Sequence, residues 1–111
     1  MQIKKNLEGK TFTVELIGRL DAVTSIELGK SLKNFPEDME EIIFDLSKLD
    51  YIASAGLRLL LKCQKLMDKN LKQMKIKNAT AEVRDILDNT GFSDFLHIVD
   101  KDSTKKLSIE F

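Results

Sequence analysis

Residues 11–17 read T-F-T-V-E-L-I, with Phe12, Val14 and Leu16 on one side of an extended chain and Thr11, Thr13 and Glu15 on the other. A period of two belongs to a strand, because successive side chains there point to opposite faces. Such clean alternation predicts one buried face and one wet face, so helices are expected on one side of this part of the sheet. The preceding Glu8-Gly9-Lys10 is a turn signal, and residues 1–7 alternate more loosely around Ile3 and Leu7. The chain is therefore expected to begin with a hairpin.

Beyond Gly18-Arg19-Leu20-Asp21 the period changes. Leu28, Leu32 and Phe35, with Val23 and Ile26 nearby, predict a helix over 23–34. Pro36 lies in a connection. Residues 41–46, E-I-I-F-D-L, have the length and composition of a central strand. From Ser54 to about Leu71 the period is helical, with Leu57, Leu60, Leu61, Met67 and Leu71 as an apolar stripe interrupted by Gln64. Residues 73–77 read as a strand nearer an edge. Ala79, Val83, Ile86, Leu87 and Thr90 mark another helix, with Asn78 as expected N-cap and Gly91 as expected stop. A short strand is expected at 95–99, with a helical turn after it. Strands separated by helices imply parallel crossovers. Residues 1–111 are thus expected to form a single α/β domain. Its mixed sheet would have four to five strands, with about four helices packed mainly on one face.

Composition excludes several functions. Lys plus Arg and Asp plus Glu are 18 each, so the net charge is zero. A nucleic-acid binder would need a basic excess, and an anionic membrane surface has nothing broad to attract. With 42% hydrophobic residues the chain can build a core without staples. Cys63 is the only cysteine and His97 the only histidine, so no disulfide and no metal site is expected. No secretory signal and no run of the ~20 apolar residues needed to span a bilayer is read in the sequence. A cytoplasmic location is expected, as is a monomer without cofactors.

Residues 52–59, I-A-S-A-G-L-R-L, carry one hydroxyl in a cluster of small side chains. Ser54 falls where a helix begins and is expected to be its N-cap, contributing ~1 kcal/mol. A nucleophile is poorly supported. The segment is not G-x-S-x-G, no strand is expected to run directly into a sharp elbow, and His97 is the only available base. No phosphate-binding glycine loop is present either. The chain is not expected to be an enzyme. A reversible switch has better physical content. A phosphate on a helix N-terminus is received by free N–H groups and the positive end of the dipole, while spoiling an interface against it. Ala53, Ala55 and Gly56 leave the hydroxyl open to another protein's backbone.

D-L-S-K-L-D-Y-I-A-S-A-G-L-R-L-L at 45–60 resembles the signature of STAS domains, in particular of stand-alone anti-sigma factor antagonists. G-R-L-D-A-V-T-S at 18–25 is similar to the family's G-x-L-D segment, and residues 84–99 resemble its T-G-[LF] region. The resemblance implies a protein that binds an anti-sigma factor, usually a serine kinase. The kinase phosphorylates the antagonist and so releases it, and a serine phosphatase reverses the mark. Ser54 matches the phosphorylated serine, Gly56 and Leu57 the G-L, and Asp21 the aspartate whose loop lies beside the site. Ala53 stands where the family usually carries aspartate.

The partner surface implied by that match comprises Asp21, Thr24, Ser25, Ala53, Ala55, Gly56, Leu57 and Arg58. Arg58, Lys62, Lys65, Lys69 and Lys72 fall on one strip of the helix, either a solvated face or a rim for an acidic partner. Leu59 and Leu66 lie beside it and become anchors if exposed. Two alternatives to a phosphorylated antagonist stay open. One is a non-phosphorylated interaction module in a larger sensory or transport assembly, and the other a small-ligand or nucleotide-binding domain.

Overall fold

The computed structural model describes residues 1–33 and 35–99. The alternating segment forms β2 (Thr11–Leu20), which pairs antiparallel with β1 (Gln2–Glu8) across the two-residue loop Gly9-Lys10. Gly9 takes φ 61° there, a region that glycine enters without steric cost. Three crossovers follow through α1 (Ala22–Ser31), α2 (Ser54–Lys69) and α3 (Ala81–Asn89), leading to β3 (Glu41–Ile52), β4 (Gln73–Lys77) and β5 (Ile98–Val99). A 3-10 turn, Phe92–Asp94, precedes β5. The sheet order is β1-β2-β3-β4-β5, with every pair after the hairpin parallel.

The fold is the expected single α/β domain with a five-stranded mixed sheet, and three α-helices plus the 3-10 turn stand in place of about four helices. Leu28 of α1, Leu57, Leu60 and Met67 of α2, and Val83 and Leu87 of α3 join one core with Val14, Leu16, Phe44 and Ile76 of the sheet. All three helices therefore cover the same face. Each crossover steps one strand in the same direction, so all three share one hand, as parallel β-α-β units do.

The third strand is longer than the apolar run at 41–46 predicts. Its buried positions are Ile42, Phe44 and Leu46, then Leu49 and Ile52, so the spacing changes from two to three. The register explains the change. Glu15 pairs with Asp45 but Ile17 with Lys48, and Gly18 pairs with Leu49 but Arg19 with Tyr51. β3 thus carries two extra residues against β2. Each is a bulge that bends the strand while keeping the next leucine or isoleucine on the core face.

Other boundaries shift for local reasons. α1 starts one residue earlier than expected and ends at Ser31, while Asn34 lies outside the described residues. Thr80, not Asn78, caps α3, its hydroxyl accepting from the Val83 N–H at 3.3 Å. Gly91 follows that helix at φ 81°, the left-handed stop expected of it. His97 sits just before β5, its carbonyl accepting from the Ile76 N–H at 2.9 Å. Leu71 leaves the expected apolar stripe, since it lies past the C-cap Asn70 and is 95% exposed. Lys72 also lies beyond α2, and its ammonium donates to the carbonyls of Glu37 and Met39. The helical turn expected after 99 falls outside the described residues.

Candidate functional site

The parallel strands β2 and β3 end side by side, with Leu20 opposite Ile52. Each then turns into a helix within a residue or two. The Ala53 N–H donates to the Leu20 carbonyl at 2.8 Å, tying the two turns together. The N-termini of α1 and α2 therefore share one end of the sheet, beyond the carboxyl ends of its strands. That is where open α/β sheets collect their sites.

The two helices begin differently. Asp21 caps α1, its Oδ1 accepting from the Val23 N–H at 3.1 Å and the Thr24 N–H at 3.0 Å. Thr24 Oγ1 accepts from the Asp21 N–H at 2.8 Å, completing a capping box, and its hydroxyl reaches the Arg19 carbonyl at 2.7 Å. Hydrogen bonds from the Thr24 backbone and hydroxyl hold the Asp21 carboxyl below the usual carboxylate range.

At α2 the expected cap is displaced by one residue. Ala53 occupies the N-cap position, at φ −92° and ψ 170°, and offers no side-chain acceptor. Ser54 is the first helical residue instead, and no acidic residue stands in the first turn. The start of α2 thus keeps orphan N–H groups and an uncompensated positive dipole end. The strand also runs into this helix through Ala53 alone, so the sharp strand-to-helix turn not expected from the sequence does exist here.

Gly56 sets the position of that first turn. A Cβ there would lie 2.7 Å from Leu20 Cγ, 2.9 Å from Leu20 Cδ2 and 3.0 Å from Ile52 Cγ1. Only glycine lets the helix rest directly on the two strand ends, which leaves Ser54 exposed above them. Arg58, one turn on, donates from Nη2 to Ser54 Oγ at 3.3 Å and from Nε to the Ser54 carbonyl at 3.4 Å.

Of the residues singled out in the sequence, Asp21, Thr24, Ala53, Ser54, Ala55 and Arg58 reach the surface at this end. Gly56 and Leu57 lie beneath it and support it, while Ser25 is buried with its hydroxyl unpaired among the described residues. Two neighbours were not legible in advance. The Arg19 guanidinium stacks over the Tyr51 ring at 4.6 Å, a cation–π contact flanking the joined turns. Val23, in the first turn of α1, is 75% exposed. The Arg19–Tyr51 pairing depends on the second bulge of β3, which no local signal in either segment announces.

Among the described residues, no three His, Cys, Asp or Glu side chains gather to hold a metal ion, and no helix is long and apolar enough to cross a membrane. What the arrangement offers is an open hydroxyl, backbone donors and the Arg58 guanidinium bonded to that hydroxyl, on a platform of small side chains.

The STAS domain profile matches residues 2–104. The anti-sigma-B factor antagonist of Staphylococcus aureus strain NCTC 8325 is 26% identical over 99 residues, covering 88% of this chain and 92% of that protein. The anti-sigma factor antagonist SpoIIAA in its unphosphorylated form superposes with a TM-score of 0.75 at 15% identity, covering 99% of this chain and 98% of that one. An anti-sigma factor antagonist from Mycobacterium paratuberculosis gives 0.68 at 15% identity, covering 99% and 94%.

Proposed function

This chain belongs to the STAS domain family, and on that premise we propose that it is an anti-sigma factor antagonist switched at Ser54. In the unmodified state it binds a cytoplasmic anti-sigma factor that is also a serine kinase, and so frees a sigma factor for transcription. The kinase transfers the γ-phosphoryl of ATP to Ser54 Oγ. The Oγ–P bond forms, the bond from the γ-phosphorus to its bridging oxygen breaks, the hydroxyl proton passes to the kinase's base, and ADP leaves. The antagonist acts as a monomer, and a serine phosphatase resets it.

The observation that carries this reading is an exposed serine in the first turn of a helix whose N-cap, Ala53, supplies no side-chain acceptor. A phosphate brings a charge of about −1.5 to −2 and three acceptor oxygens. The orphan N–H groups of α2 and the Arg58 guanidinium would receive it without disturbing the core. A partner packed closely over Ala53 and Ala55 would meet a bulky dianion where it had met small side chains. The same mark is thus tolerated by the fold and opposed by the complex. Asp21 and Thr24 border the surface from α1, positioned by their capping box.

The test is incubation with the cognate anti-sigma kinase and ATP, followed by mass spectrometry of the peptide containing Ser54. A single phosphate on Ser54 is expected. Phosphate on another residue, or none, would replace the switch with a plain interaction module.

A further inference from the structure

We propose that the trough between α1 and α2 is the docking site for an acidic amphipathic helix of a partner protein. The two helices run side by side in the same direction, with Gly29 of α1 facing Leu59 of α2. The trough has a volume near 510 Å³. Leu32 and Cys63 form its floor, and Ile26, Leu59 and Leu66 its walls. Ile26 is 63% and Leu66 43% exposed, so an apolar side chain on each helix stands open to the trough.

Charge selects the occupant. The charged groups lining the trough are Lys30, Lys33 and Lys62, and no carboxylate lines it among the described residues. The whole chain has as many acids as bases, so this one-sided rim is a local departure. Lys65 and Lys69 extend it along α2, where the only acid, Asp68, already accepts the Gln64 amide at 3.0 Å. Among the described residues no carboxylate bonds to Lys30, Lys33 or Lys62.

Shape selects a helix. Leu59 and Leu66 are seven residues apart, about 10 Å along the axis, or two turns. A third helix lying in the trough would set apolar side chains spaced i, i+4 and i+7 against these walls. Carboxylates on its flanks would meet the lysines, giving register and a faster encounter. The proposal rests on the reading above only in taking the partner to be a protein; it needs no modification of Ser54.

The probe is a fluorescein-labelled helical peptide with leucine at i, i+4 and i+7 and glutamate on both flanks, compared with the same peptide carrying lysine for glutamate. Anisotropy should show binding of the acidic peptide, weakening as salt rises, and none of the basic one. Amide chemical-shift changes should cluster on Ile26, Lys30, Leu59, Lys62 and Leu66. Charge reversal in Lys30→Glu/Lys62→Glu should weaken binding by about tenfold or more. These residues are exposed or at the rim, and a thermal melt checks that the fold survives. Leu66→Asp supplies the apolar counterpart. Ser54→Asp should bind the peptide as wild type does, which separates this proposal from the phosphorylation switch. Equal binding of both peptides, no binding at millimolar peptide, shifts clustered elsewhere, loss of binding in Ser54→Asp, or sedimentation showing two copies closed over the trough would each overturn it.

Discussion

The Ala53 N–H donates to the Leu20 carbonyl at 2.8 Å, so the turn that starts α2 is fastened to the end of the neighbouring strand. The residue that follows Leu20 caps α1, and the residue that follows Ala53 carries the exposed hydroxyl. One backbone bond thus places the Asp21 and Ser54 turns side by side, and changes at one are expected to be felt at the other.

Gly56 is where that coupling is most easily broken. In Gly56→Ala the new methyl would collide with Leu20 Cγ, a branch point in a fully buried side chain, at 2.7 Å. Overpacking of this kind costs about 1–3 kcal/mol, and the better helix propensity of alanine returns up to about 1. A net loss of about 1–2 kcal/mol is expected in urea unfolding, with the first turn of α2 lifted off the strand ends. An unchanged midpoint would show that the turn is not seated on Leu20.

Asp21 gives the capping box a pH dependence. Its folded-state pKa is depressed by the Thr24 hydrogen bonds, so between the folded and ordinary values the unfolded chain binds more protons and stability rises with pH. The contribution is complete above the ordinary carboxylate range and is lost as pH falls through the folded value. Asp21→Asn keeps a cap acceptor but cannot carry the charge. The stability difference between wild type and Asp21→Asn should be present at neutral pH and close in acid. A difference independent of pH would remove the charge from the account.

Cys63 tests the floor of the α1–α2 trough. Burial pushes its thiol up to about 11, against a smaller opposite pull from Lys62. The thiolate is the reactive form. Alkylation by iodoacetamide at mildly basic pH is therefore expected to be at least about tenfold slower in the native protein than in urea, given that dependence on thiolate. Comparable rates would mean that α1 opens away from α2 readily.

Much of this architecture was legible, and the exceptions share a cause. Clean alternation in β2 and the helical stripe of α2 are local signals, and both elements form, although β2 continues past the alternating segment 11–17 to Leu20 and α2 stops at Lys69, short of Leu71. β3 outran its apolar run because two bulges changed the spacing from Leu46 to Leu49 and Ile52, and bulges are settled by the partner strand. Val23 and Ile26 match a helix period but face outward in α1, whose buried residues are Ser25 and Leu28. Ser54 looked like the cap because serine is a good one. Its place in the helix is decided two residues on, by how closely Gly56 approaches Leu20 and Ile52.

Substitutions at Ser54 separate its two roles. It is not the N-cap, so Ser54→Ala should change stability by no more than about 0.5 kcal/mol, as surface substitutions do. If the proposed switch operates, Ser54→Ala should stay bound to the anti-sigma kinase in the presence of ATP. Ser54→Asp should lose at least about tenfold in affinity, or ~1.4 kcal/mol. Calorimetric titration checks both. Equal affinity of Ser54→Asp and wild type would count against gating at this position.

Ala53→Asp tests the start of α2 most directly. Position 53 has the extended backbone of an N-cap and lacks only an acceptor. A carboxylate there would accept from the N–H groups of the first turn and oppose the dipole, stabilising the fold by about 1 kcal/mol. It would also restore the residue usual in the resembled signature. The two effects are separable, because stability is read in urea and phosphorylation by mass spectrometry. A more stable protein phosphorylated at the wild-type rate would assign the carboxylate to the fold alone. A higher rate would show that it also orients Ser54 for transfer. No gain in stability would mean that the orphan N–H groups are already satisfied, which would remove the main support for a phosphate-accepting helix end.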